Sequence, residues 1–142
     1  MKLSDKGRYA PPPSLPKHAQ AVSEAIASWP EVHARTHWLL GDENVVDGAD
    51  FYFGDEEIGH IHLDGEAHVA VSASIRRALV DSGLAEPFEW SRSFVVTSIR
   101  RERDVEHAKA LFRIAYERRR GAKEEELLER ALAMGAPSAE PR

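Results

Sequence analysis

The chain has 142 residues, of which 42% are hydrophobic and 30% charged: enough apolar content for one folded core, and too little length for two. Its 24 Asp plus Glu against 19 Lys plus Arg leave a formal net charge of -5, which argues against holding polyanions by bulk attraction and disfavours nucleic acid as a partner. With no cysteine there is no disulfide framework, no thiolate nucleophile and no zinc–thiolate site, so any metal must be held by histidine and carboxylate.

Four prolines between Pro11 and Pro16 fix φ and remove backbone donors, which predicts an extended, disordered leader over 1–16 that stays out of the core. No stretch approaches the ~20 apolar residues of a membrane helix, and the N-terminus lacks the apolar segment of a secretory signal. A cytoplasmic protein with no membrane partner is the expectation. From Lys17 to Trp29, Ala19, Val22, Ala25, Ile26 and Trp29 recur at helical spacing until Pro30 stops the helix. Glu31 to Leu39 alternates instead, predicting a strand with His33 and His37 on its polar face. Gly41 to Gly48 is acidic and turn-rich. Asp50 to Phe53 and Glu56 to Leu63 then read as antiparallel strands joined at Gly54-Asp55.

Glu66 to Val71 predicts a further short strand, and Ser74 to Ser82 a helix ended by Gly83. Arg92 to Ile99 is β-branched enough for another strand. Asp104 then caps a helix whose stripe is Val105, Ala108, Leu111, Phe112 and Ala115. After Gly121, Leu127, Leu128, Ala131 and Leu132 repeat the helical spacing, a stripe that either packs on the same domain or pairs with a second copy in a homodimer. The expected organisation is a leader (1–16), a single α+β domain (17–120) and a C-terminal helix and tail (121–142). Its fold class is a mostly antiparallel sheet with helices packed on one face.

The run Gly59-His60-Ile61-His62-Leu63-Asp64-Gly65, with His68 close behind, carries the chemistry. Residues two apart on a strand share a face, so His60, His62 and Asp64 align while Ile61 and Leu63 turn to the core. Two imidazoles so placed can share an ion at about 2.0 to 2.1 Å, with His68 as third ligand, a set that suits iron, zinc or copper. Without metal, one neutral imidazole can take a proton from an enol while its neighbour stabilises the anion. A solvated strand face without chemistry is the third reading, and the residues alone leave all three open.

Asp64-Gly65 reads first as a turn, with Asp64 also able to orient an imidazole or contact a ligand. His37 reaches the same face if the register allows. His107 lies in the first turn of the helix begun at Asp104 and reads as a surface residue. Phe51, Phe53, Trp38 and Trp90 read as core side chains able to wall an aromatic pocket. The clusters Arg100-Arg101-Arg103 and Arg118-Arg119-Arg120 are interleaved with glutamates, as on solvated helix ends. No Gly-rich phosphate loop and no G-x-S-x-G elbow is present.

Glu56-Glu57-Ile58-Gly59-His60-Ile61-His62, then His68, the helix Ile75 to Gly83, Ala85-Glu86-Pro87, the strand Ser93 to Ile99 and Glu106 to Tyr116 together resemble the luciferase-domain family. That family includes fungal luciferases and many small bacterial proteins of unknown function, and the resemblance covers roughly residues 25–120. Fungal luciferases add dioxygen to a hydroxylated α-pyrone. The resemblance therefore implies an oxidoreductase, an oxygenase acting on a small aromatic or enolic substrate with molecular oxygen as partner. It places His60, His62 and His68 as the catalytic histidines, with a shorter spacer between His62 and His68 than in the fungal enzymes. The alternative class is a non-enzymatic ligand-binding or interaction module. A looser resemblance to the MmcQ/YjbR-like domains adds DNA binding, against the acidic charge.

Overall fold

The structure, a computed structural model, describes residues 2, 3 and 7–135. Its elements in chain order are α1 (Lys17–Ala27), β1 (Val32–Leu39), β2 (Asp42–Phe53), β3 (Glu56–His62), β4 (Glu66–Ala70), α2 (Ala73–Asp81), β5 (Glu86–Pro87), β6 (Phe94–Ser98), α3 (Glu102–Arg119) and α4 (Glu124–Met134). The strands form one sheet in the order β1-β2-β3-β4-β6-β5, and every neighbouring pair is antiparallel. This is the expected α+β fold.

The apolar periodicities meet in a single core. Phe51, Ile61, Val69 and Val95 supply one face of the sheet, and Val22 and Ile26 of α1, Ile75 and Leu79 of α2, and Leu111 and Phe112 of α3 cover it. Gly59 makes this contact possible. A Cβ there would lie 2.5 Å from the His68 carbonyl oxygen and 2.5 Å from Phe112 Cε1, so only glycine lets β4 and α3 approach together. Phe51 and Phe112 then meet edge to face at 5.9 Å.

Several boundaries differ from the sequence expectations. β2 begins at Asp42, because register shifts between His37 and Trp38 and between Trp38 and Leu39 let the acidic stretch pair instead of forming a loop. Asp64 does not continue β3, which ends at His62; its carboxylate accepts the Glu66 N–H across the turn at 2.9 Å. Asp104 is not the first cap of α3 but its third residue, reaching back to accept the N–H groups of Arg100 (3.0 Å) and Arg101 (2.9 Å). The two-residue strand β5 at the sheet edge leaves too short a pattern to read, and its proline is tolerated there because an edge N–H has no partner to lose.

The expectation of a disordered leader outside the core does not describe residues 7–16. β1 is an edge strand, and this segment lies along it. The Ala10 carbonyl accepts the Thr36 N–H at 2.8 Å, the Pro11 carbonyl accepts the Thr36 hydroxyl at 2.6 Å, and Leu15 is buried. The buried guanidinium of Arg35 donates to the carbonyls of Gly7 and Arg8. The stripe of α4 packs on its own domain, with Leu127 and Ala131 in the core and Leu132 exposed. The expected tail beyond Gly135 lies outside the described residues, as do residues 1 and 4–6. Among the described residues no helix is long and apolar enough to cross a membrane.

Candidate functional site

The sheet face opposite the core is built by register. Arg35 pairs with Asp50, Asp50 with His60, His60 with His68, His68 with Val96, and Val96 with Glu86, so one transverse row crosses all six strands. One step away, Gly48 stands beside both His37 and His62. A side chain at Gly48 would collide with the Ile61 carbonyl at 2.0 Å, so glycine brings β2 close enough to β3 to set the His37 and His62 rings together. The His37 and His60 rings stack at 4.3 Å and 9°, and His62 meets His60 edge-on at 5.0 Å.

Each ring is backed by a carboxylate. His60 Nδ1 donates to Glu57 Oε2 at 2.7 Å, His37 Nδ1 lies 2.7 Å from Asp50 Oδ1, and His62 Nδ1 lies 3.0 Å from Asp47 Oδ2. His68 instead turns its Nε2 to Glu66 Oε2 at 2.9 Å and its Nδ1 to His60 Nε2 at 3.2 Å. Burial pushes His60 well below the usual imidazole range, and its neighbours His37, His68 and His62 push the same way. Burial also lowers His68, opposed by its bond to Glu66. Behind this layer, burial beside Asp50 and Glu57 pushes the Tyr52 phenol up.

The histidine face floors a cavity of about 590 Å³. Phe88, Trp90 and Phe94 wall it, with the Phe88 ring 4.6 Å from His68 and tilted 47° to it. Four carboxylates, Asp47, Glu66, Glu86 and Glu89, also line it, and among the described lining residues there is neither lysine nor arginine. A small aromatic molecule fits such a space, flat against the apolar wall with its polar edge on the imidazoles.

The structure brings His37, His60, His62 and His68 together on one face. Asp64 is not with them; it is an exposed turn residue. Of the aromatics expected to wall a pocket, Trp90 does, whereas Phe51 and Phe53 pack in or against the core and Trp38 donates its indole N–H to the Arg8 carbonyl. His107 is partly buried and bonded to the Leu84 carbonyl at 2.7 Å. Sequence reasoning missed the carboxylates Asp47, Asp50, Glu57 and Glu66. The signal for Asp50 and Glu66 was present in the alternation of β2 and β4, and only the register could connect it to the histidines.

Among the described residues, three sets of side chains have potential ligand atoms within 4.8 Å of one another: His37 with His60 and His62, His62 with Glu66 and His68, and Asp50 with Glu57 and His60. The trio His60, His62 and His68 expected from sequence is not among them.

Residues 55–115 match the family model of the luciferase domain. The resemblance read from the sequence holds over that stretch. The match runs from the β2–β3 turn to Ala115 in α3 and takes in His60, His62 and His68, while His37, Asp47 and Asp50 lie upstream of it. The matched stretch thus supplies three of the four histidines, while β1 supplies His37 and β2 the carboxylates Asp47 and Asp50. No curated protein and no solved structure matches the chain.

Proposed function

We propose that this protein is a luciferase-like oxygenase that removes a proton from a small aromatic enol and passes the resulting enolate to dioxygen. The observation that carries the reading is the chain Glu57–His60–His68–Glu66 at the floor of an aromatic-walled cavity. Its three hydrogen bonds require three protons, and two neutral imidazoles carry only two. Burial lowers both rings and favours the neutral state, with one link lacking its proton. That link is His60 Nε2 to His68 Nδ1, because a carboxylate only accepts: His60 Nδ1–H fills the bond to Glu57 and His68 Nε2–H the bond to Glu66, and the nitrogen–nitrogen contact is the longest of the three at 3.2 Å.

His68 Nδ1 is therefore the general base. An enol O–H placed against Phe88 gives its proton to this nitrogen, the third bond is completed, and Glu66 compensates the new imidazolium charge. The enolate carbon then adds to dioxygen, and the proton held on His68 is available to the peroxide that forms. The match of residues 55–115 to the luciferase domain supports this reaction class, and the aromatic wall supports the substrate class.

The test is oxygen uptake with a panel of hydroxylated α-pyrones and other enols, beside O-methylated analogues that have no proton to give. Uptake is expected with the free enols alone, and His68→Ala should lower the rate about 10²–10⁴-fold while circular dichroism is unchanged. An undiminished rate in His68→Ala would overturn the assignment. Saturable binding of the enols without oxygen uptake would replace it with the ligand-binding class.

A further inference from the structure

We propose that His37, His60 and His62 bind one divalent first-row transition-metal ion through their Nε2 atoms, at the floor of the cavity. The inference rests on how the rings are held. Each of the three has Nδ1 beside a carboxylate: His60 is hydrogen-bonded to Glu57 at 2.7 Å, His37 Nδ1 lies 2.7 Å from Asp50, and His62 Nδ1 lies 3.0 Å from Asp47, which also stands 3.5 Å from His37 Nε2. A histidine oriented through one nitrogen by a carboxylate leaves the other as a ligand, which is the usual outer-shell arrangement of a metal-bound imidazole. One ring nitrogen from each of the three lies within 4.8 Å of those of the other two, so small ring rotations bring them to the ~2.0–2.1 Å of a metal–imidazole bond.

For the proposed reaction, charge points the same way. The proposed reaction makes an anion in a cavity lined by four carboxylates and, among the described lining residues, by no lysine or arginine. Asp50 and Glu57 add buried negative charge beneath the histidines. With the new His68 imidazolium already compensated by Glu66, the enolate is repelled unless a further cation stands beside it, and three imidazoles select a transition-metal ion over calcium or magnesium, which prefer oxygen ligands. Three protein ligands leave a position open toward the cavity for the enolate oxygen. His68 is outside the ligand set: when His60 Nε2 turns to the ion, His68 Nδ1 is released and its Nε2 keeps Glu66. The ion's role at the enolate rests on the oxygenase reading above; its binding does not.

The experiment uses the full-length protein, stripped with chelator and titrated with Co(II) alone, read by the visible absorption of the bound ion, and with Zn(II) by calorimetry. We expect one ion per chain. His37→Gln, which keeps a donor for Asp50, and His62→Ala should each remove binding, Glu57→Gln should weaken it about 10–100-fold, and His68→Ala should leave it intact. Failure of the parent protein to bind either ion at micromolar concentration would overturn the proposal. So would loss of binding in His68→Ala with retention in His37→Gln, which would move the ion to His62, Glu66 and His68. Because the readout is binding, it is independent of oxygen uptake: bound metal without turnover would refute the oxygenase reading alone, and turnover without bound metal would refute this one alone.

Discussion

Gly59 shows how far a single residue governs this site. It lies between His68 on the neighbouring strand and Phe112 on α3, and the atoms that a Cβ would strike include a backbone carbonyl oxygen that cannot rotate away. Gly59→Ala must therefore push β4 from β3 or lift α3 from the sheet, costing about 1–3 kcal/mol, read as a lower urea midpoint at unchanged slope. Because the same shift displaces His68 relative to His60, the variant should also lose turnover at temperatures where it remains folded. An unshifted midpoint would show that the contact relaxes freely. The sequence displayed Gly59 beside His60 without a reason for it; the reason is a contact with Phe112 on α3, far along the chain.

Among the elements, α3 depends on a carboxylate that reaches back from its third residue. Asp104 accepts the N–H groups of Arg100 and Arg101, and those bonds hold its carboxyl below the ordinary carboxylate range. A carboxyl depressed in the folded state contributes its full stability above its unfolded pKa and loses it as pH falls through the folded one. Asp104→Ala should therefore cost about 1 kcal/mol near neutral pH, and the gap in Tm between parent and variant should close as the solution is taken below pH ~4. A gap that stays constant into acid would assign the loss to something other than the ionised carboxylate. The stripe of α3 was legible because its period is local. The sequence also singled out Asp104, but one turn away from its role, since Asp and Ser-like caps and third-position acids leave nearly the same signature before an apolar run.

On the scale of the whole molecule, the last helix is part of the single core. Leu127 and Ala131 are buried with the side chains of α2 and α3, and Glu124 at the start of α4 accepts the hydroxyls of Ser72 and Ser74 ahead of and within α2. Urea unfolding followed by far-UV circular dichroism and by tryptophan fluorescence should give one coincident transition, and Leu127→Ala should lower stability by about 2–5 kcal/mol at both probes. Two separated transitions would make α4 an appendage. Sequence periodicity found the stripe but offered two partners for it, because an apolar face specifies that something must cover it and leaves open what does.

The sequence by itself determined the α+β class, the identity and order of the principal elements, the HxH strand and its resemblance to the luciferase domain. All of these are written in local periods of 2 and 3.6 residues and in one short motif. Only the tertiary structure decided which residues share the cavity. The register of β1 on β2 and of β2 on β3 put His37 over His60 and slid Asp47, Asp50 and Glu57 behind the rings. A shift of one residue in either pairing would turn those side chains to the opposite face without altering any local pattern, so the partners of the histidines could not be read before the strands were paired.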